Sequence, residues 1–192
     1  MSAAGMTTQA AGGWRYDNVA RAFHWLIVAM LVAQYSVALL LGAILPKSAE
    51  GALITWHFSM GSSVCVVMLA RLAWRLTHPA PPPPADLSPG LRLLSRATHW
   101  AFYAGYIVLP VLGWAAASAD GARVRLAGLI PLPLLVPKDD PFGKAMQTVH
   151  PVIAITLLAL IALHVAGALY HAFIKRDGVV GRILPGRGAG AA

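Results

Sequence analysis

The chain has 192 residues, of which 58% are hydrophobic and 11% are charged. Ordinary soluble domains are about 25% charged, so this chain has too few polar side chains to cover a soluble fold, and its composition indicates a lipid environment. The net charge of +8 does not indicate nucleic-acid binding, because the basic residues cluster at the ends of apolar segments rather than in one patch.

Four segments are long and apolar enough to cross a membrane, which takes about 20 residues. In chain order they are residues 22–45, 52–74, 100–119 and 152–174. Pro110 lies inside the third segment, where we expect a kink that a helix bundle tolerates. Residues 126–136 are too short to cross and carry two prolines, which predicts an interfacial loop or a short surface helix. The fold class is therefore an all-α membrane protein, a four-transmembrane-helix bundle.

The segments outside these spans divide the chain simply. Residues 1–16 are predicted to be a flexible N-terminal leader, 17–177 the transmembrane domain and 178–192 a flexible cytoplasmic tail. The first residues lack a charged stretch followed by a short apolar core, so we predict no cleaved signal peptide. Cys65 is the only cysteine, which excludes an internal disulfide and a C-x-x-C-H haem attachment motif.

Lysine and arginine predict the orientation, because basic residues are enriched on the cytoplasmic side. The side that holds both termini carries ten of them, and the opposite side carries five. We therefore expect both termini in the cytoplasm. The ten are Arg15, Arg21, Arg71, Arg75, Arg92, Arg96, Lys175, Arg176, Arg182 and Arg187, and the five are Lys47, Arg123, Arg125, Lys138 and Lys144.

Six of the seven histidines lie in or beside the spans, where ionisable residues are rare and usually functional. His150 and His164 are fourteen positions apart, which is close to four helical turns and about 21 Å along the axis. Both therefore project from one face of the fourth helix at two depths. By depth, His57 matches His150 on the outer side, and His24 matches His164 on the cytoplasmic side.

Two facing histidine pairs suit haem iron, which takes one axial imidazole from each side of the porphyrin. Zinc is disfavoured because it prefers four ligands, often including cysteine or a carboxylate, and the four segments contain no Asp or Glu. Copper remains chemically possible. Gly61, Ser62, Ser63 and Gly167 near these histidines would leave room for a flat macrocycle, although small residues also serve ordinary helix packing.

The motifs around these histidines are similar to those of bacterial cytochrome b561. The resemblance rests on FHW in the first span, ITWHFSMG opening the second, RLAWRLTHPAPPPP after it, THW with YIVLPVLGW in the third and LHVAGALYH in the fourth, and it covers nearly all of residues 17–185. It implies a membrane bundle with two haem b groups in the bacterial inner membrane. The implied iron ligands are His24 and His164 for the cytoplasmic haem, and His57 and His150 for the periplasmic haem.

Within that family the chain most resembles the small single-chain members, which include superoxide:ubiquinone oxidoreductases. This implies an enzyme that oxidises superoxide at the periplasmic side and reduces ubiquinone. The alternative is an electron-transfer subunit that links quinone to a hydrogenase- or dehydrogenase-type partner protein. A transporter is disfavoured, because the spans lack carboxylates and the chain shows no internal repeat.

Further residues have candidate roles in this scheme. Arg71 and Arg75 are candidate partners of the haem propionates, and positive-inside snorkelling also explains them. His99 and His171 are candidates for a quinone site, with interfacial anchoring as the alternative. The basic residues of the outer loop could guide an anion such as superoxide, and ordinary surface charge accounts for them equally well.

Overall fold

The computed structural model describes residues 15–41, 47–84 and 87–185. Most of the described chain is helical, and the fourth helix continues directly into a π-helical turn at Tyr170–Lys175. A short 3-10 turn follows at Val180–Arg182. The main elements are α1 at Asn18–Leu41, α2 at Lys47–Thr77, α3 at Pro89–Ala119, β1 at Arg125–Leu126, β2 at Ile130–Pro131 and α4 at Pro141–Leu169.

The four long helices confirm the predicted transmembrane bundle. Their most apolar windows have mean hydropathies of 1.9, 1.6, 1.4 and 2.5, and each is long enough to cross a membrane. Many large apolar side chains on the bundle surface are exposed, among them Leu39 at 71% and Ile155 at 68%. Such a surface is suited to lipid, since soluble monomers rarely expose large apolar patches. The chain is therefore a multi-pass membrane protein.

Two helices begin well before the predicted apolar segments. The Ser88 side chain accepts a hydrogen bond from the Leu91 N–H, and the Asp140 side chain accepts one from Gly143. In each case a proline follows the capping residue, which is the favoured position for proline at a helix start. Both caps satisfy backbone donors at helix ends that hydropathy alone does not reveal.

The helices pack in sequence order, α1 against α2, α2 against α3 and α3 against α4. Both described ends of the chain meet at one end of the bundle, where the Tyr16 N–H donates to the Arg182 carbonyl at 3.2 Å. Arg15 also donates from Nη2 to the Leu184 carbonyl at 2.9 Å. We call this end the terminal side and the opposite end, which holds residues 120–140, the loop side. The predicted leader lies outside the described residues up to position 14.

Apolar side chains from all four helices fill the middle of the bundle. This central layer comprises Ile27 of α1, Val64 and Met68 of α2, Tyr103, Tyr106 and Leu109 of α3, and Leu157 of α4. Leu157 lies seven residues after His150 and seven before His164, which places it on the same helical face, midway between them. The layer therefore separates two levels of the bundle.

Residues 126–136 form no surface helix. Instead, β1 and β2 pair antiparallel, with Leu126 opposite Ile130, and Ala127 and Gly128 turn between them with positive φ angles of 50° and 73°. The hairpin lies against α2, where the Ser62 hydroxyl donates to the Arg125 carbonyl at 3.3 Å. It covers part of the loop side of the bundle.

Candidate haem-binding sites

On the loop side, the structure brings His57 of α2 and His150 of α4 together. Their ring centroids are 6.1 Å apart, and the ring planes are inclined by 74°. Metal–imidazole bonds are about 2.0–2.1 Å long, as measured for zinc, so two such bonds in line span about 4 Å. The rest of the 6.1 Å centroid separation is close to the sum of the two distances from a ring centroid to its nitrogen. The pair is therefore spaced for one iron between its nitrogens.

Helix α3 holds the ring of His150 in place. The Nδ1 nitrogen lies 3.1 Å from the Leu109 carbonyl oxygen, which can only accept, so Nδ1 carries the ring proton and donates it. Metal-binding histidines commonly donate their second ring nitrogen to a carbonyl in this way. This leaves the Nε2 lone pair of His150 available to a metal.

A missing side chain makes room for that ring. A Cβ atom on Gly113 would lie 2.8 Å from His150 Cε1 and 3.0 Å from Nδ1. Contacts this short do not occur, so any larger residue at position 113 would displace the imidazole. Gly113 thus forms a cradle on α3 for a histidine of α4.

His57 has a polar neighbour on α1. The side-chain nitrogen of Gln34 lies 3.0 Å from His57 Nδ1 and 3.1 Å from the His57 carbonyl oxygen. Gly61 lies beside the amide: a Cβ atom on this glycine would be 3.3 Å from Gln34 Nε2. The other end of the amide, Oε1, is buried and has no hydrogen-bond partner among the described residues.

On the terminal side, three histidines gather below the central layer. The ring centroids of His99 and His164 are 5.5 Å apart, with the planes nearly perpendicular. His24 on α1 interacts electrostatically with both of them. His99 donates from Nδ1 to the Ser95 carbonyl at 2.7 Å, so its Nε2 lone pair is also available. His164 therefore has a ring neighbour on α3, His99, in addition to its predicted partner His24, with which it interacts electrostatically.

Arg71 lies within the same group. Its guanidinium carbon is 5.7 Å from the centre of the Tyr103 ring, and its charge interacts with His24, His99 and His164. Arg75 interacts with His99. Of the two candidate propionate partners, Arg71 is the one whose charge interacts with all three histidines.

His171 is bound to a carboxylate at the end of α4. Its Nδ1 lies 2.6 Å from Asp177 Oδ2, and both side chains are largely buried, with 20% and 14% exposed. Burial raises the pKa of the Asp177 carboxyl, but hydrogen bonds from His171 and from the Val179 N–H outweigh it, so the pKa lies below its usual value. The π-helical turn at this point belongs to a class of distortion that is frequent at functional sites.

The basic residues of the loop side divide into two groups. Lys144 is bound by Asp120 at 2.8 Å and lies 3.5 Å from Asp139. Arg123, Arg125 and Lys138 are exposed. The side chain of Lys47 lies outside what the structure describes. Lys144 is exposed as well, at 42%, but it is paired with carboxylates, so the loop-side positive charge that forms no ion pair among the described residues is carried by Arg123, Arg125 and Lys138.

Sequence reasoning missed Gln34, Gly113 and Asp177. Gln34 carried a usable signal, since a polar residue inside an apolar span tends to be functional. Gly113 carried none, because a lone glycine in a membrane helix has many uses. Asp177 lies beyond the predicted span and gained meaning only through its contact with His171.

A membrane-spanning four-helix bundle with facing histidines at one level and a histidine group at a second level is the architecture of a membrane b-type cytochrome. A model of the prokaryotic cytochrome b561 family matches residues 15–186. The chain belongs to this family. Membership implies electron transfer in the membrane and binding of haem b, and the geometry of His57 and His150 suits that group.

Three relatives illustrate the similarity. The probable superoxide oxidase CybB of Yersinia pestis is 28% identical over 171 residues, covering 89% of this chain and 96% of its own. Cytochrome b561 homolog 2 of Escherichia coli is 26% identical, covering 88% and 91%. Cytochrome b561 homolog 1 of the same organism is 27% identical, covering 90% and 98%.

Proposed function

We propose that this chain binds two haem b groups and carries electrons across the bacterial inner membrane, from superoxide on the periplasmic side to ubiquinone. The observation that carries the proposal is the 6.1 Å separation of the His57 and His150 rings, one level away from a second histidine group. When bound, haem supplies one-electron redox chemistry. The chain supplies the ligands, the spacing and access for donor and acceptor.

The ligand assignment follows the two levels. His57 and His150 hold the haem on the loop side, and His24 and His164 hold the haem on the terminal side. Arg71 binds a propionate of the terminal-side haem, since it is charged, close to these histidines and partly buried. His99 lines that site without ligating iron.

The orientation combines charge with topology. The terminal side carries the larger share of lysine and arginine, which supports a cytoplasmic position for it. The loop side then faces the periplasm. His171 and Asp177 then lie on the cytoplasmic side, where this hydrogen-bonded pair supplies the protons that quinone reduction consumes.

The reaction balances with two superoxide anions for each quinone. Each superoxide gives up one electron and leaves as dioxygen, and two electrons with two protons convert the quinone to the quinol. Exposed Arg123, Arg125 and Lys138 support superoxide as the donor, because positive potential raises the local concentration of a small anion. The Yersinia pestis relative is named a probable superoxide oxidase, which supports the same reaction.

Haem content tests the cofactor proposal. We expect a pyridine haemochrome assay of the purified protein to give two haem b per chain. His57→Ala and His150→Ala should remove the same haem, and His24→Ala and His164→Ala should remove the other, as followed by the two sets of absorption bands. Correctly folded protein with no haem would overturn the proposal.

His99→Ala is the informative control for this series, because His99 is also close to His164. We expect it to keep both haems. Loss of the terminal-side haem in His99→Ala, with retention in His24→Ala, would instead make His99 and His164 the ligand pair.

Quinone reduction tests the reaction. With superoxide generated enzymatically in the assay buffer, we expect purified protein to form quinol faster than the His57→Ala variant does. Equal rates would reject superoxide as the donor. The protein would then fit an electron-transfer subunit that receives electrons from a partner protein.

A further inference from the structure

The hairpin between α3 and α4 is unusually apolar for a connection between helices. Residues 126–136 read LAGLIPLPLLV and contain no polar side chain, yet most of them are exposed. Leu129 and Ile130, which follow the turn, are exposed at 78% and 59%. Loops that lie in water are ordinarily polar, so this composition indicates an apolar neighbour.

The hairpin lies on the face of α2 that is turned toward lipid. The Ser62 hydroxyl donates to the Arg125 carbonyl at 3.3 Å, which fixes the hairpin to this helix. Val66 and Leu69 follow Ser62 by four and seven residues, so they share its face of the helix, and both are exposed. The surface of the hairpin is therefore continuous with the lipid-facing surface of the bundle.

The position along α2 gives the depth of the hairpin. Trp56 is exposed, and tryptophan is enriched at the boundary between membrane and water. Ser59 lies three residues further toward the middle of the bundle, and its Oγ is 3.8 Å from a Cβ built on Gly128. Ser62 lies six residues past Trp56, or about 9 Å. The hairpin is thus placed below the level of Trp56.

The backbone of the hairpin is suited to surroundings without water, where each polar backbone group needs an internal partner. Pro131 and Pro133 have no N–H to satisfy. The Pro133 carbonyl accepts a hydrogen bond from Trp114 Nε1 at 3.0 Å. Three N–H groups donate to carbonyls within residues 124–132, namely those of Gly128, Leu129 and Leu132.

We propose that the hairpin is immersed in the membrane, where Leu129, Ile130 and the neighbouring apolar residues contact lipid acyl chains of the loop-side leaflet. Lipid is the occupant that fits, because the same surface continues into the exposed face of α2. Arg125 is exposed on the hairpin, and its side chain is long enough for the charge to reach the headgroups while its stem lies in apolar surroundings. This inference does not depend on haem binding.

Lipid photocrosslinking tests the proposal on the unmodified protein. The purified protein is placed in nanodiscs of phosphatidylcholine whose acyl chains carry a diazirine group, irradiated and digested with trypsin. Cleavage after Arg125 and Lys138 releases the hairpin in the peptide 126–138. We expect lipid adducts on this peptide. The peptide 48–71 of α2, which contains Val66 and Leu69, is the positive control.

Access of water to the hairpin supplies the second measurement, on a Cys65→Ser background in the same nanodiscs. We expect Leu129→Cys to react with a membrane-impermeant maleimide at least about tenfold more slowly than Glu50→Cys, because the reactive thiolate is disfavoured in apolar surroundings. Glu50 is the matched control, since it is exposed on the same side of the protein but lies six residues before Trp56.

Two results would overturn the proposal. Equal labelling rates of the two cysteine variants would place the hairpin in water. Slow labelling of Leu129→Cys without lipid adducts on the peptide 126–138 would show that protein, such as a second copy of the chain, covers the hairpin. If Leu129→Cys does not fold, the lipid adducts on the unmodified protein decide.

Discussion

Single atoms decide the geometry at the loop-side histidines. Gly113 contributes nothing except the space for the His150 ring, and the Leu109 carbonyl contributes a single acceptor. The ring is therefore held from two directions by α3, which leaves the Nε2 lone pair available to a metal. At this scale the backbone matters as much as the side chains that the sequence makes visible.

Gly113→Ala tests this cradle. The added methyl group would lie 2.8 Å from His150 Cε1, so the ring must leave the Leu109 carbonyl. We expect haem affinity at the loop-side site to fall by about 10–100-fold, measured as haem per chain after purification. Gly90→Ala is the control, because nothing lies within 4 Å of the built Cβ there. Equal haem content in the two variants would contradict this role of Gly113.

At the scale of elements, the bundle depends on a few polar ties across apolar helices. The Tyr35 hydroxyl of α1 donates to the Ala154 carbonyl of α4 at 2.8 Å and lies 3.2 Å from the Tyr106 hydroxyl of α3. Three helices therefore meet at one side chain, close to the central layer. This tie sets the distance between α1 and α4, the two helices that carry His24 and His164.

Tyr35→Phe should destabilise the folded protein by about 1 kcal/mol, the usual net value of one hydrogen bond. For a chain of this length that corresponds to about 2–4 °C in melting temperature, measurable by intrinsic fluorescence in detergent. Tyr170→Phe is the control, on a ring that is 45% exposed. An equal melting temperature in both variants would show that the Tyr35 hydroxyl does not tie the helices.

A second tie joins the end of α3 to the start of α4. The hydrogen bond from Lys144 lowers the pKa of the Asp120 carboxyl, burial opposes this, and a bond from Gln147 adds to the lowering. A lowered pKa means that the contribution to stability is present above the unfolded value of about 3.9 and is lost as the pH falls through the folded value.

Asp120→Asn should therefore lower the melting temperature slightly at neutral pH, since the carboxylate is exposed and such pairs are weak. The difference from wild type should shrink below about pH 4. Melting curves at both pH values check this. A difference that persists in acid would show that the effect does not come from the ionised carboxylate.

At the scale of the whole molecule, charge is distributed unevenly between the two ends. On the loop side, Lys144 is paired with acidic residues, whereas exposed Arg123, Arg125 and Lys138 form no ion pair among the described residues. The proposed steering of superoxide is a property of their summed field and not of one contact. It should therefore depend on salt, since ions screen exposed charges over about 8–10 Å at physiological strength.

Replacing these three residues by glutamate should slow superoxide-driven quinol formation by about tenfold, the lower range of electrostatic steering. The salt dependence should also change sign, since added salt screens attraction in the wild type and repulsion in the variant. Arg96→Glu, an exposed charge reversal on the terminal side, is the control and should leave the rate unchanged. If the triple variant and the control behave alike, the loop-side charges do not guide the donor.

The sequence by itself determined the four spans and the two-level spacing of His150 and His164, because rise and rotation within a helix follow from backbone geometry. It also contained the Ser88 and Asp140 caps, which hydropathy alone overlooked. Only the tertiary structure decided which side chains meet across helices. Four contacts depend on how neighbouring parts of the chain pack. They are those of His150 with Gly113, Gln34 with His57, His99 with His164, and His171 with Asp177. Spacing along a single helix cannot specify that packing.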